Sequence, residues 1–193
     1  MSKIFIIMGK SSTGKDTIYK KLIEKKELNL KKIISYTTRP IRQNETNGVE
    51  YFFVDEDYMK ELEKSQKIIE HRAYNTIHGI WNYFTVDDGQ INLDVSDYLL
   101  IGTLESFKQI KKYYGTNVYP IYIEVEDGIR LKRALNREQK QKNPKYAELC
   151  RRYLADEEDF SEDNIKKAGI KKRYSNLDIN ICLHQIIDDI TKL

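Results

Sequence analysis

The sequence predicts an α/β fold in which helices cover both faces of a mostly parallel β-sheet. Strands alternating with helices favour parallel pairing through right-handed crossovers. A strand that is apolar at every position is expected where both faces of a sheet are covered. With 193 residues, the chain is long enough for one sizeable core. Three apolar runs, each leading into a helical pattern, carry the prediction: "IFIIM" (Ile4–Met8), "YLLIGT" (Tyr98–Thr103) and "VYPIYIEV" (Val118–Val125).

The helices follow from the spacing of apolar residues. The second helix carries Phe107 and Ile110, and Asp127 opens the third. The clearest amphipathic pattern lies near the end of the sequence, and this last helix is expected to pack on the sheet. Two stripes define the first and last helices: Ile18, Tyr19, Leu22 and Ile23, and then Ile179, Cys182, Leu183, Ile186, Ile187 and Ile190.

Two insertions interrupt this α/β pattern, so we expect one domain with three parts. Residues 35–96 contain short runs rich in Tyr, Phe and Val around a short helix near Asp55–Lys64, which predicts a small β-rich lobe. Residues 133–164 are highly charged, and Pro144 is placed to start a helix, which predicts a mobile helical lid. The predicted core comprises residues 1–34, 97–132 and 165–193.

Composition excludes several classes of protein. The 33 Lys and Arg residues nearly balance the 30 Asp and Glu residues, so nothing indicates a general nucleic-acid binder. The chain has no apolar run of membrane-spanning length and no signal peptide pattern, which predicts a cytoplasmic protein. Cys150 and Cys182 show no metal or disulfide spacing and are expected to be reduced core residues. Both a monomer and a homodimer remain open.

A phosphate-binding loop is predicted directly after the first strand. In "GKSSTGKDT" the spacing of Gly9, Gly14 and Lys15 is that of a cradle whose backbone N–H groups face phosphate oxygens. The helix that follows adds its positive end, and the lysine reaches the β and γ groups of a nucleoside triphosphate. Because strand, spacing, lysine and helix coincide, the motif predicts an ATP site.

Asp16 stands where the common pattern has a Ser or Thr that helps to hold Mg²⁺. Three interpretations remain. Asp16 contacts the metal directly or through water, it caps the helix and points away, or it weakens the site. We favour a functional site in which nucleotide oxygens and waters hold most of the Mg²⁺, as this ion tolerates. Thr17 offers a nearby hydroxyl, whose expected target is a phosphate.

A second anion site is predicted around Pro40. Arg39 and Arg42 lie three residues apart on either side of this proline, and Tyr51 can add a hydrogen bond. Two planar guanidiniums on a stiff turn suit a second phosphate. A solvated basic loop is the usual alternative, but the phosphate cradle earlier in the chain favours the clamp.

These motifs together resemble the guanylate kinase family, which has a P-loop NTPase fold of three layers with a lobe that binds the nucleoside monophosphate. The similarity covers most of the chain and includes "LKRALNR", "LCRRYLADEED" and "NLDI". The segment from Ser35 to Tyr51 fits the family pattern S-x-T-T-R-x-x-R-x-x-E-x-x-G-x-x-Y, and Glu70 ends an "IIE" strand.

The resemblance implies transfer of a phosphoryl group from ATP to GMP or dGMP with Mg²⁺. Glu45 would support the arginine clamp, and Ser35 and Glu70 would read the guanine edge. Catalytic roles would fall to Lys15, Arg39, Arg133, Arg137 and Arg152. The implied ATP site is Gly9, Lys10, Ser11, Ser12, Thr13, Gly14, Lys15, Asp16, Thr17 and Asn176. The implied GMP site is Ser35, Arg39, Arg42, Glu45, Tyr51, Glu70, His78, Gly79 and Thr103.

The chain departs from the family pattern at two places. His78, Gly79 and Ile80 replace a Tyr-Gly-Ser/Thr step, and Thr103 stands where a base-reading Asp is usual. "DDGQINLDVSD" replaces an expected helix with a loop. The "GKD" step and the missing acidic motif resemble ribosyl bisphosphate phosphokinases, so another phosphorylated acceptor remains an alternative. A non-catalytic module that binds protein partners is a third, disfavoured because the cradle and its lysine are present.

Other polar and aromatic groups have structural interpretations. The "DEED" run, Asp156–Asp159, is expected to be a solvated helix face. Trp81, Tyr83 and Phe84 are expected to form the core of the lobe. Glu70 either pairs with Arg72 or a lysine, or reads the base.

Overall fold

The chain folds into two β-sheets and seven α-helices in the residues that the computed structural model describes, 2–76 and 79–193. In chain order the elements are β1 Ile4–Met8, α1 Lys15–Glu24, β2 Lys31–Lys32, β3 Tyr36–Thr37, β4 Phe52–Phe53, α2 Glu56–Lys64, β5 Ile68–Thr76, β6 Gly79–Val86, β7 Tyr98–Ile101, α3 Leu104–Tyr114, β8 Val118–Glu124, α4 Asp127–Gln139, α5 Tyr146–Asp159, α6 Glu162–Lys167, β9 Arg173–Ser175 and α7 Ile179–Lys192.

The larger sheet is parallel and has the strand order β2–β7–β1–β8–β9. All five residues of β1 are buried, because β7 and β8 flank the strand and helices cover both of its faces. Parallel strands bring their carboxyl ends to one edge of a sheet, and ligands bind at that edge. The loop after β1 therefore starts at the edge where a binding site is expected.

Alternate residues of β1 pack on opposite helix layers. Ile4, Ile6 and Met8 face a cluster that includes Phe107 of α3. Phe5 and Ile7 face the other cluster, which contains residues of α1 and α7. The predicted three-layer arrangement is therefore confirmed, and the last helix packs on the sheet as expected.

The second sheet belongs to the inserted lobe and has the order β4–β3–β6–β5. All of its strands come from residues 36–86. The helix expected near Asp55–Lys64 is α2, and its N-cap is Asp55, whose side chain accepts a hydrogen bond from the backbone N–H of Tyr58. Residues 87–97 contain no helix or strand, in agreement with the predicted loop.

The register of this sheet aligns polar side chains on one face. Glu70 pairs with Thr85 across β5 and β6, and Arg72 pairs with Tyr83. Thr37 of β3 pairs with Tyr83 from the other side. Because side chains alternate along a strand, residues one position away point to the opposite face, where Phe84 is buried in the core of the lobe.

The charged segment near residue 150 forms α5, which has no buried residue. Cys150 is exposed on this helix, so the expectation that both cysteines lie in the core is wrong for Cys150. Its apolar neighbours do not reach the core because α5 lies over the end of α4 rather than against the sheet. Cys182 is buried in α7 as expected. In the part of the chain that the structure describes, no helix is long and apolar enough to cross a membrane.

Candidate active site

The loop between β1 and α1 has the backbone of a phosphate cradle. Gly9 has φ 149°, and a Cβ there would lie 2.3 Å from the carbonyl oxygen of Ile123. Gly14 has φ 87°, and a Cβ there would lie 2.4 Å from Nδ2 of Asn176. Both positions therefore require glycine, because a side chain would collide with neighbouring atoms in a backbone conformation that L-residues rarely adopt.

Internal hydrogen bonds hold the cradle in shape. The hydroxyl of Thr13 donates to the carbonyl oxygen of Lys10 over 2.9 Å. The buried side-chain amide of Asn176 donates to the carbonyl oxygen of Thr13 over 2.7 Å. In this conformation Asn176 thus braces the loop from the segment after β9.

Lys15 is the first residue of α1 and has no hydrogen bond or salt bridge with any residue that the structure describes. Burial lowers the pKa of its ammonium group, and the nearby carboxylates of Asp16 and Asp156 oppose that shift only in part. A half-buried ammonium without a partner is ready to bind an anion. Asp16 and Thr17 are exposed on the same turn.

Two of the four predicted catalytic arginines, Arg137 and Arg152, reach the cradle. Nη2 of Arg137 donates to Oγ of Ser12 over 3.3 Å, and Nη2 of Arg152 donates to Oγ of Ser11 over 3.4 Å. Arg133 points elsewhere: its Nη2 donates to the carbonyl oxygen of Asn176 over 3.1 Å. In this conformation Arg133 supports the bracing segment instead of the phosphate loop.

Acidic residues of the lid occupy the cradle itself. Oδ2 of Asp156 accepts a hydrogen bond from the backbone N–H of Ser11 over 2.6 Å. Oε2 of Glu157 lies 2.6 Å from Nζ of Lys10. The prediction that Asp156–Asp159 form a solvated helix face is therefore wrong for these two residues. They bind the cradle because its N–H groups and the Lys10 ammonium attract nearby carboxylates.

A buried arginine joins the lid to the core. The guanidinium of Arg130, on α4, is 1% exposed and donates to the carboxylates of Asp127, Asp156 and Glu157. It also lies over the ring of Tyr153, 4.3 Å from the centroid. Asp127 lies on α4, and Asp156, Glu157 and Tyr153 lie on α5, so Arg130 is the centre of a network that joins these two helices.

The predicted arginine clamp is built around Glu45. Nη1 and Nη2 of buried Arg39 donate to the two carboxylate oxygens of Glu45 over 2.7 and 2.6 Å. The backbone N–H of Arg42 donates to the same carboxylate over 2.9 Å. The hydrogen bonds from Arg39 lower the pKa of Glu45 to about 2. Glu45 therefore fixes the turn that carries both arginines.

Aromatic rings complete the clamp. The Arg39 guanidinium lies 5.2 Å from the ring centroids of both Tyr51 and Phe53. The ring of Tyr51 meets that of Tyr83 edge to face, with centroids 5.6 Å apart. Nε of Arg39 is a buried nitrogen with no hydrogen-bond partner among the described residues. The clamp thus holds an arginine whose donor capacity is not exhausted by the protein.

Cradle, clamp and lid meet at one cavity of about 320 Å³. Arg42 lines it from the inserted lobe, and Ser11 and Ser12 line it from the cradle. Arg137 and Arg152 contribute from the lid helices. Arg42 of the clamp and two serines of the cradle therefore line the same cavity, whereas Arg39 lines a different one.

Comparison with known proteins decides the family. The guanylate kinase family model matches residues 1–178. The chain belongs to the guanylate kinase family. It is 31% identical to a guanylate kinase of Porphyromonas gingivalis over 129 residues, which cover 64% of this chain and 65% of that protein. It is 29% identical to a guanylate kinase of Thermotoga maritima over 142 residues, covering 70% of this chain and 66% of the relative. The chain thus spans slightly less than two thirds of the length of these relatives.

A solved structure supports the fold assignment. The crystal structure of a guanylate kinase from Anaplasma phagocytophilum superposes on 99% of this chain and 85% of that chain, with a TM-score of 0.65 and 20% identity. The predicted P-loop NTPase fold is therefore confirmed.

Ser35 and Glu70, the two residues that the resemblance assigns to base reading, are connected through Thr85. The Ser35 hydroxyl is 3.3 Å from that of Thr85, which in turn donates to Oε1 of Glu70 over 3.0 Å. Glu70 also forms a two-pronged ion pair with Arg72, whose Nε and Nη2 donate over 2.9 and 3.1 Å. Burial alone would lower the pKa of Arg72, but the Glu70 carboxylate outweighs it and the pKa is raised.

Among the described residues, two other members of the predicted GMP site have no hydrogen bond to this pair. Thr103 is the N-cap of α3, and its hydroxyl accepts from the backbone N–H of Ser106 over 3.2 Å. Gly79 begins β6 opposite Thr76, six residues along β5 from Glu70 and thus roughly 20 Å away at the usual strand rise. The structure therefore does not bring Gly79 to the base-reading residues. His78 lies outside the described residues.

The Glu70–Arg72 pair is one of the two alternatives predicted for Glu70, but the places of Tyr83 and Thr85 on the same face of the lobe sheet were not predicted. Tyr83 was expected in the core with Phe84, but it points the other way and contacts Tyr51. The signal was the strict alternation in "WNYFTV", which places Phe84 on the face opposite to Tyr83 and Thr85.

Proposed function

We propose that this protein transfers the γ-phosphoryl group of ATP to GMP or dGMP. The observation that carries this proposal is the cavity shared by Ser11 and Ser12 of the cradle, Arg42 of the clamp, and the lid arginines Arg137 and Arg152. A kinase for a phosphorylated acceptor needs two anion sites in one cleft, and phosphoryl transfer depends mainly on positioning and charge stabilisation.

The donor side uses main-chain amides and cations. The N–H groups from Lys10 to Thr17 and the Lys15 ammonium hold the ATP phosphates, with the adenine near the Asn176 segment. Arg137 and Arg152 stabilise charge on the phosphoryl group in transit, and Arg133 holds the adenine-side loop in place. An acceptor phosphate oxygen attacks the γ-phosphorus while ADP leaves, so no covalent enzyme intermediate is needed.

The acceptor side uses the clamp and the polar face of the lobe sheet. Arg39 and Arg42, fixed by Glu45, hold the phosphate of GMP together with the Tyr51 hydroxyl. Ser35 and Glu70 lie further along the same face and contact the base. Thr103 and His78 keep their proposed places in the GMP site on the family resemblance alone, and Gly79, far along β5 from Glu70, is left out of the proposed site.

A carboxylate at residue 16 fits Mg²⁺ bound with ATP. Asp16 is exposed. It lines a cavity of about 310 Å³ together with Ser35 and Tyr51 of the inserted lobe. No group of three or more possible ligands occurs in the described part of the chain. Asp16 therefore contributes a single contact, direct or through water, while nucleotide oxygens and waters supply the rest. The ion neutralises phosphate charge when it is bound.

Replacing Asp16 with Asn should weaken Mg²⁺ binding to the ATP complex by about tenfold, as for the loss of an outer-shell carboxylate. The measurement is calorimetric titration of ATP at several Mg²⁺ concentrations, independent of turnover. Glu24→Gln, at the far end of α1, is the control and should leave the Mg²⁺ dependence unchanged. Identical Mg²⁺ dependence in Asp16→Asn and the unmodified protein would remove Asp16 from the metal.

The proposal includes movement of two parts over a core of residues 1–34, 97–132 and 165–193. Residues 35–96 carry their own sheet, and α5, within residues 133–164, has no buried residue, which supports closure of both over the nucleotides. We place the protein in the cytoplasm as a monomer or homodimer. The near-neutral charge balance supports nucleotides rather than nucleic acid as ligands.

A coupled assay with ATP and a panel of acceptors tests the substrate. GMP and dGMP are expected to be phosphorylated most efficiently, ahead of AMP, CMP, UMP and ribose 1,5-bisphosphate. The acceptor concentration is varied so that kcat/KM is compared, because this ratio measures discrimination. A higher kcat/KM for any other acceptor in the panel would overturn the assignment of GMP.

A further inference from the structure

The Glu70 carboxylate is almost fully occupied by the protein. A carboxylate offers about four lone-pair positions to hydrogen-bond donors. Oε1 accepts from Nη2 of Arg72 and from the hydroxyl of Thr85, and Oε2 accepts from Nε of Arg72. Three of the four positions are therefore filled, and the remaining one lies on Oε2.

The pair is built into the lobe rather than lying loosely on its surface. The side chain of Glu70 is 0% exposed and that of Arg72 is 11% exposed. The Arg72 guanidinium also lies over the ring of Tyr83, 6.0 Å from the centroid. A planar guanidinium that donates two hydrogen bonds to one carboxylate and packs on an aromatic ring is held in a fixed orientation.

The hydroxyls beside Glu70 have a fixed direction. Thr85 donates its only hydroxyl proton to Glu70, so the 3.3 Å contact between Thr85 and Ser35 requires Ser35 to be the donor. Ser35 then presents lone pairs to a ligand. The hydroxyl protons of Ser35 and Thr85 therefore both point along the hydrogen-bond chain toward the Glu70 carboxylate.

Guanine presents two adjacent donors, N1–H and the 2-amino group. A carboxylate that binds both must offer one free position on each oxygen. Glu70 has a free position on Oε2 alone, so one of the two donors goes unmatched. A base that has N1–H and lacks the 2-amino group therefore loses little binding free energy compared with guanine.

We propose that Arg72 sets the purine specificity of the acceptor site by occupying Glu70, so that the protein discriminates weakly between GMP and inosine 5′-monophosphate. This inference rests on the proposed function, because it concerns the base of the same acceptor. Arg72 acts through Glu70 and is a positioning residue. Its removal frees one lone-pair position on each oxygen and restores recognition of the 2-amino group.

The test compares kcat/KM for GMP and inosine monophosphate in the unmodified protein and in Arg72→Met. The unmodified protein should prefer GMP by less than about tenfold. Arg72→Met should raise this preference by at least about tenfold, the effect of one hydrogen bond to a charged group. A merely structural role for Arg72 would lower both values together and leave the ratio unchanged.

Two further variants secure the comparison. Arg72→Lys keeps a positive charge beside Glu70 but makes a single contact, so it should fold even if Arg72→Met does not, and it should raise the ratio by a smaller factor. Arg151→Met removes an exposed Arg–Glu pair on α5 and should leave the ratio unchanged.

The outcomes separate this inference from the proposed function. An unchanged ratio in every Arg72 variant that folds, or a preference of about 100-fold in the unmodified protein, would overturn the inference while leaving the kinase activity in place. Calorimetric titration with GMP and inosine monophosphate gives the same ratio without turnover. Absence of both turnover and binding with either nucleotide would overturn the inference and the proposed function together.

Discussion

Replacing Lys15 with alanine is expected to lower kcat by about 100- to 1000-fold, the range seen when one group that stabilises transition-state charge is removed. The ammonium is half-buried at the first turn of α1, has no partner among the described residues, and belongs to the cradle that would hold the β and γ phosphates. The measurement is steady-state kcat with saturating ATP and GMP.

The control for this variant lies on the same helix. Lys21 is exposed in the last turn of α1, and Lys21→Ala should leave kcat within twofold. Thermal unfolding of Lys15→Ala should match that of the unmodified protein, because the substitution removes a charge whose burial is unfavourable. Unchanged kcat in a folded Lys15→Ala protein would exclude the lysine from the reaction.

Glu45→Gln is expected to destabilise the protein by up to about 3 kcal/mol at pH 7, following from the pKa shift of this carboxyl. In the folded state the pKa of Glu45 is about 2, against an ordinary value of 4.5. A carboxyl with a lowered pKa stabilises the folded state above its ordinary pKa. This contribution is lost as the pH falls from about 5 to about 2.

Urea unfolding from pH 7 down to pH 2 measures this effect. The unmodified protein should lose stability steeply below pH 5, and Glu45→Gln should show a shallower slope over the same interval. Glu61→Gln, an exposed residue of α2 in the same lobe, should retain the steep slope. Parallel pH curves for Glu45→Gln and the unmodified protein would show that the Arg39–Glu45 pair contributes nothing measurable. The KM for GMP should rise in Glu45→Gln, because the clamp loses its support.

The sheet strands that the sequence predicts well are the long apolar ones. β1, β7 and β8 are buried runs with no polar interruption, so their assignment needs no tertiary information. The edge strands β2 and β9 have two and three residues, too short for any periodicity to identify. They exist because the sheet supplies partners for their backbone groups.

The site was predictable where chemistry is encoded locally. The cradle and the Arg39–Arg42 pair each lie within a few residues of sequence, so spacing indicates them, whereas the role of Glu45 came from the family resemblance. Contacts between distant segments are different: Ser11 and Asp156 are 145 residues apart, and Arg130 meets both the cradle and the lid. The sequence of a charged run such as "DEED" does not indicate which distant residues will pair with it in the folded protein.

Side-chain pairs between neighbouring strands could not be predicted from the sequence for the same reason. Glu70 and Arg72 are two residues apart and therefore share a face, but Thr85 joins them only through the register of β5 and β6. A bulge between Ile68 and Glu70 shifts that register, and no residue pattern in the sequence indicates it.

The contact between Asp156 and the Ser11 amide makes the lid an intramolecular competitor for the cradle. Under the lid movement proposed above, an anion would reach the Ser11 amide only in molecules where Asp156 has left it, so its apparent affinity would be the intrinsic affinity multiplied by that fraction. Lid opening and nucleotide binding would then be thermodynamically linked, through the same helix that carries Arg152.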